Sequence, residues 1–207
     1  MVPPAHAVDG SHITAMHLHA SPSRPLNGVP PETMTLPDRC GVRLRPLEPE
    51  DEKLYPAFLA HVSPEDRRLR FFTASELSAR QISEFTHYDP ASAAAVVATG
   101  MEDGAIYGVA RLHRTSAGTG EFAVLVRSDL KGHGLGRILM NRILGSAPFI
   151  RVQTVFGLIL RDNVGMLALA RELGFSCEPD PADVEIVRAH LDIRERRMAG
   201  VRSPSPS

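Results

Sequence analysis

Apolar and polar positions change rhythm several times along the chain. In residues 41–47, Val42 and Leu44 alternate with Arg43 and Arg45, the pattern of a half-buried strand. Residues 49–61 take a helical spacing with Pro49 and several acids in the first turn, and Pro56 is placed to kink it. Ser63-Pro64-Glu65-Asp66 reads as an N-cap, a first-position proline and an acidic first turn, opening a second helix to residue 72. A third helix is predicted over 78–88, with Ile82 and Phe85 on one face. Strands follow at 93–99, 105–113 and 121–126, separated by a turn at Glu102-Asp103-Gly104 and a loop at 116–120. These three predict an antiparallel meander. A glycine-rich loop then leads into a helix to residue 144. Residues 154–160 form a continuous apolar run of strand length, residues 163–173 a helix stopped by Gly174, and residues 185–193 a last strand. No internal repeat is present. The order predicts an α+β fold: a mixed, mostly antiparallel β-sheet flanked by α-helices.

The two ends lack this patterning. Residues 1–40 hold seven of the 17 prolines, four of the nine histidines and no aromatic side chain. Such a segment buries too little apolar surface to offset its ordering entropy, so it is expected to be a disordered tail. Residues 198–207, ending Ser-Pro-Ser-Pro-Ser, read the same way. The folded domain is therefore expected over 41–197, and translation from Met34 would still include all of it. His12, His17 and His19 match no zinc spacing, and no metal is expected.

Composition narrows the function classes. With 43% hydrophobic and 23% charged residues the chain is globular in type. A formal net charge of −1 and a pI near 6.8 leave no whole-molecule basic field for nucleic acid. No apolar run approaches the length of a membrane span, so no membrane partner is expected. Cys40 and Cys177 stand far apart, which excludes a disulfide framework and an all-cysteine zinc site. With no secretory signal, a cytoplasmic location is expected.

The chemistry concentrates in Glu121-Phe-Ala-Val-Leu-Val-Arg-Ser-Asp-Leu-Lys131-Gly-His-Gly-Leu-Gly-Arg137. A strand runs into a loop with Gly132, Gly134 and Gly136, and the loop opens a helix. Without Cβ atoms the amides of this loop approach a ligand closely, and the helix N-terminus adds partial positive charge. The product is a site for a phosphate or diphosphate, built on Gly132, His133 (through its amide), Gly134, Leu135 and Gly136, with Lys131 and Arg137 as flanking cations. A Walker loop is excluded because no Lys-Ser/Thr follows. A dinucleotide fingerprint fits poorly because its third glycine position is Arg137.

The segment Lys131-Gly-His-Gly134-Leu-Gly136 resembles the Arg/Gln-x-x-Gly-x-Gly/Ala signature of the GNAT superfamily of acyl-CoA-dependent N-acyltransferases, with lysine in the first place. Leu160-Arg-Asp-Asn163 through Gly174-Phe175 is similar to that family's strand–Asn–helix–Gly–Phe segment, and the resemblance covers nearly all of 41–197. Within the superfamily, Leu44 to Glu52, Ser63 to Phe72 and Glu121 to Asp129 resemble the acetyltransferase domain of bacterial protein-lysine acetyltransferases. There the domain is often fused to an acyl-CoA synthetase-like region or a cyclic-nucleotide-binding domain, and neither fits into 207 residues.

The resemblance implies a GNAT-type sheet, acetyl-CoA as co-substrate, and direct attack of an amine on its thioester. Glu121 opens an otherwise apolar strand, where partial burial would raise its pKa toward that of a general base; it falls where similar lysine acetyltransferases carry a catalytic glutamate. A solvated strand-end carboxylate is the alternative. Main-chain groups of Val124, Leu125 and Val126 are implied to pair with the pantetheine arm. Asn163 reads as an N-cap and, by resemblance, as a CoA contact. Many members place a tyrosine acid where this chain has Ala170, so the general acid is unassigned. His113 has no acid partner visible in sequence and reads as structural, and Cys177 as a small core residue. The implied acceptor is a protein lysine, with an acyl-CoA synthetase as one target by family resemblance. The alternatives are a small amine or a non-catalytic acyl-CoA sensor. Residues 49–91 are expected to carry the acceptor preference.

Overall fold

The computed structural model describes residues 30–37 and 40–194. Most of the expected N-terminal tail, and all of the C-terminal one, lie outside these residues. Eight strands form one sheet: β1 (Glu32–Thr35), β2 (Gly41–Pro46), β3 (Ala93–Gly100), β4 (Ile106–Ser116), β5 (Thr119–Val126), β6 (Thr154–Leu160), β7 (Ser176–Pro179) and β8 (Ile186–Asp192). Their spatial order is β1-β2-β3-β4-β5-β6-β8-β7. Every pairing is antiparallel except β5 with β6. Five α-helices flank the sheet: α1 (Tyr55–Ala60), α2 (Pro64–Phe71), α3 (Ala79–Thr86), α4 (Leu135–Ser146) and α5 (Val164–Glu172). The α+β class and the mixed, mostly antiparallel sheet are as expected. None of the described helices is long and apolar enough to cross a membrane.

The sheet separates two cores. Ala94, Val96 and Ala98 of β3 pack with Leu139, Met140 and Ile143 of α4 on one face. Ala95 and Val97 pack with Tyr55, Phe58 and Ile82 on the other. All eight residues of β3 are therefore buried, which explains a strand of small apolar residues without polar alternation. Helix caps are set locally: the Ser63 hydroxyl accepts from the Asp66 amide, and Ser78 and Gln81 close a capping box.

The differences from expectation have local causes. Residues 49–61 divide into a 3-10 segment, Pro49–Leu54, and α1. Asp51 there is 3% exposed and takes a two-pronged ion pair from Arg45, at 2.7 and 2.6 Å. Asp51, one of the acids of that first turn, is therefore structural. The 116–120 loop is a tight hairpin turn between β4 and β5, with Gly118 at φ 76°. Strands β1 and β7 have four residues each and were not foreseen. Strand β1 falls inside the stretch read as a tail, with Met34 opposite Val42 and Glu32 ion-paired to Arg142 of α4.

The consequential feature is where β5 and β6 part. Their parallel ladder covers Thr119↔Thr154, Gly120↔Val155 and Glu121↔Phe156, and then stops although both strands continue. At that point the ring of Phe122 lies over Gly157 and meets Phe175 edge-on at 5.1 Å. A Cβ on Gly157 would sit 2.4 Å from Phe122 Cε1. The buried ring fills the space that a side chain on the facing strand would need. Gly157→Ala is expected to destabilise the fold by about 1–3 kcal/mol through this overlap. Urea unfolding of the variant beside the parent checks it; an unchanged midpoint would show that the ring shifts freely.

Candidate active site

Beyond the parting point, the main chain of residues 122–126 has β4 on one side and no strand on the other. A cleft of about 430 Å³ opens there. One wall is the glycine loop and the start of α4; the other is Leu158 and Ile159 of β6 with Asn163, Gly165 and Met166; Asp66, Leu69 and Arg70 of α2 cover it. The structure brings Glu121, Val124, Leu125, Val126, Lys131, Gly132, Gly134, Leu135, Gly136, Arg137 and Asn163 to this one cleft. His133 is not among the residues that line it, although both neighbouring glycines do.

The loop turns on glycines and leaves the start of α4 uncapped. Gly132 and Gly134 have φ of 81° and 83°, a region that other residues enter only with strain. Gly134 is also the N-cap of α4, so no side chain caps the first amides of this helix, and its first turn holds no acid. Donors that a cap would satisfy are left for a ligand. Helix α5 differs: Asn163 Oδ1 accepts from the Met166 amide at 3.1 Å, which realises its capping role at the opposite wall.

Each flanking cation has a carboxylate partner. Lys131 Nζ donates to Asp66, and Arg137 to Glu172. The Arg137 pair is half-exposed on both sides, so water screens it and a phosphate can compete for the guanidinium. Asp66 is 8% exposed and also accepts from the Ser128 hydroxyl, which in turn accepts from the Ser63 amide at 2.8 Å. Burial alone would push the Asp66 carboxyl up. The Lys131 ammonium and the Ser128 hydroxyl more than reverse this and hold it below its usual range. Across the mouth, Arg68 pairs with Asp162 beside α5. Helix α2 is thus tied to both walls of the cleft.

Glu121 is exposed, not partly buried as expected from the apolar run that follows it. It stands at the end of the cleft remote from the glycine loop, next to the parting point. The structure also supplies the acid neighbour that His113 lacks in sequence, because His113 pairs with Glu121 in the β4–β5 ladder. Ala170 is fully buried in the core. Cys177, on β7, packs against the core away from the cleft, and burial pushes its thiol pKa up, so it is poorly suited as a nucleophile. Sequence reasoning missed Asp66, Leu69, Arg70 and Phe72 as cleft residues. Asp66 carried only a helix-start signal, and nothing local links it to Lys131, 65 positions on.

The folded pKa of Asp66 lies below its ordinary value of 3.8. Its contribution to stability is therefore complete above that value and is lost as pH falls through the lower folded one. Asp66→Asn should cost about 1–3 kcal/mol near neutral pH. The gap from the parent should stay level down to about pH 5 and close below about pH 4. Urea unfolding across this range tests it; a gap independent of pH would remove the charge from the explanation.

Comparison with known proteins bears on what such a cleft does. A family model described as the acetyltransferase (GNAT) domain matches residues 42–176. The GNAT domain of PAT from S. lividans superposes with a TM-score of 0.72 at 25% identity, covering 78% of this chain and 96% of that one. A cAMP-binding acyltransferase from Mycobacterium smegmatis is also 25% identical, with a TM-score of 0.55; the match covers 79% of this chain and 47% of that one. The spermidine N-acetyltransferase from Vibrio cholerae, solved with CoA and spermine, shares the fold at 18% identity, with a TM-score of 0.60 over 75% of this chain and 98% of that one. A parted sheet leading to a glycine-built loop, in a chain matched over most of its length, is explained by one conclusion: this protein belongs to the GNAT acetyltransferase family and is an acetyltransferase that uses acetyl-CoA.

Proposed function

We propose that the protein acetylates lysine side chains of other proteins by direct attack of the amine on acetyl-CoA, with Glu121 as the general base. The observation that carries this reading is the placement of Glu121 at the parting of β5 and β6, at one end of a cleft whose other end is the glycine loop. The resemblance of Leu44 to Glu52, Ser63 to Phe72 and Glu121 to Asp129 to protein-lysine acetyltransferases supports a protein acceptor.

The residues divide the work along the cleft. Amides of Gly132, His133, Gly134, Leu135 and Gly136 hold the diphosphate, with Lys131 and Arg137 adding charge at the rim. Although the His133 side chain contributes no lining, its amide belongs to the same loop. Main-chain groups of Val124, Leu125 and Val126 hold the pantetheine arm as an added strand would be held, and Asn163 borders it on the opposite side. One of those amides polarises the thioester carbonyl. Acetyl-CoA supplies the activated acyl group. A lysine amine, with a pKa of about 10.4, arrives protonated near neutral pH, and Glu121 takes up the proton that must leave before or during attack. The CoA thiolate leaves and is protonated by water.

The test is CoA-thiol release from acetyl-CoA by the full chain, with an acyl-CoA synthetase, with a panel of small amines, and with no acceptor. Release with the protein acceptor and acetyl-lysine in its mass spectrum is the expected result. Release with small amines alone would move the assignment to a metabolite enzyme, and binding without release to an acyl-CoA sensor. Glu121→Gln should lower kcat by about 10²–10⁴ while acetyl-CoA affinity stays close to the parent's. A kcat unchanged across the pH range would remove Glu121 as the base.

A further inference from the structure

The acceptor end of the cleft carries charge that acetyl transfer does not use. Arg70, in the last turn of α2, lines the cleft beside Glu121 and Phe72. Arg111 of β4 lies on the face of the sheet that bears Val109, beneath the first three helices, and stands opposite Ala123 in the ladder. Both guanidinium groups rest on aromatic rings. Arg70 is 4.7 Å from the centre of Phe71, and Arg111 is 5.0 Å from that of Phe85 and 5.7 Å from that of Tyr88. Nη1 of Arg111 is buried and has no hydrogen-bond partner among the described residues.

Arg70 and Arg111 differ from the arginines that sit beside carboxylates. Arg45, Arg68, Arg127, Arg137 and Arg188 each donate to a carboxylate. Among the described residues, neither Arg70 nor Arg111 has an ion pair. Burial, followed by repulsion from Arg111, pushes the Arg70 pKa down to about 10 against the pull of Glu121 and Tyr55. Burial also pushes the Arg111 pKa down, with Tyr55 and Tyr88 opposing it. Asp51 faces the same tyrosines from the 3-10 segment but is committed to Arg45. Glu121 is the carboxylate that acts on Arg70, and the transfer reaction occupies it with the amine's proton. Cations desolvated without a matching anion are costly, and an incoming anion recovers that cost. Guanidinium presents a planar fork suited to a carboxylate.

We propose that the acceptor site selects amines that carry a carboxylate close to the reacting nitrogen, gripped by Arg70 and drawn by the positive potential of Arg111 beneath it. This rests on the acetyl-transfer reading of the same cleft. Two sources present that chemistry: the α-carboxylate of a small amino acid, or an Asp or Glu beside the target lysine of a protein. A polyamine brings further cations toward two arginines and is disfavoured by both.

The test uses two matched pairs of ligands. One is a lysine pentapeptide flanked by Asp beside its Asn-flanked twin; the other is free alanine beside alaninamide. Spermidine is a further acceptor. Initial rates of thiol release are measured for each amine. Calorimetric binding of the acetylated form of each paired ligand (on Nε for the peptides, on the α-nitrogen for alanine and alaninamide) to the CoA-loaded protein gives a readout that needs no catalysis. The acidic member of at least one pair should bind about tenfold tighter or more and react with a correspondingly lower KM, and the responding pair names the source. Arg70→Gln should erase the ratio and Arg70→Lys should restore part of it. Arg111→Gln, where it folds, should reduce the ratio, and Arg70→Gln at the helix end keeps the test independent of that variant. Equal behaviour of acidic and amide members in both pairs, failure of all four to bind, spermidine as the preferred acceptor, or a ratio that survives Arg70→Gln would overturn the proposal. A binding preference with no transfer to any amine would support the anion grip and overturn the transferase reading. Transfer without preference would do the reverse.

Discussion

The cleft depends on the contact between the Phe122 ring and Gly157. Parallel neighbours in a sheet normally stay paired to the end of the shorter strand, because each unpaired amide or carbonyl forfeits a hydrogen bond. Here β5 and β6 keep three pairs and then diverge, at the position where a buried aromatic ring occupies the room of a facing side chain. The ring is held by the edge of Phe175, which follows the Gly174 stop of α5. A packing interaction in the core therefore leaves a stretch of backbone without a strand partner. That backbone can hold a ligand as another strand would.

Helix α2 converts this opening into an enclosed site. It packs across both parted strands. Asp66 fastens it to the glycine loop through Lys131 and Ser128, and Arg68 fastens it to Asp162 on the far wall. These ties differ in strength for physical reasons. The Asp66 carboxylate is buried and multiply bonded, so losing a partner would leave charge in a poor solvent. The Arg68 pair is exposed, and water and salt weaken it. One side of the cover is thus firm and the other soft, which suits a cleft that must admit and release a long ligand.

Charge is arranged along the cleft in a graded way. At the loop, cations are balanced by acids that a phosphate can displace or supplement. At the opposite end, Arg70 and Arg111 have aromatic faces for company, and Glu121 is the carboxylate that acts on Arg70. The two ends of the cleft therefore present different electrostatic surfaces, separated by the apolar length of β5. The strained Phe72, at φ 59° and 46% exposed, closes α2 at the acceptor end and offers an apolar surface beside the arginines.

Sequence by itself determined the class of fold, the order of its main elements and the glycine loop that opens α4, because those follow from local rules. Alternation marks a half-buried strand, Ser-Pro-Glu-Asp marks a helix start, and glycines at 132 and 134 mark backbone that must turn with positive φ. It also placed Glu121 and Asn163 on the elements where they stand. It could not show β1 or β7, since four-residue edge strands carry too few apolar positions for a period. Nor could it show the exposure of Glu121, the pairing of Asp66 with Lys131 or the company of Arg70 and Arg111. Those depend on where separate segments meet, and a residue's local neighbours say nothing about which distant charge or ring will lie against it. The parting of β5 and β6 is of the same kind: Phe122 and Gly157 read as an ordinary strand aromatic and a strand glycine until the sheet brings them face to face.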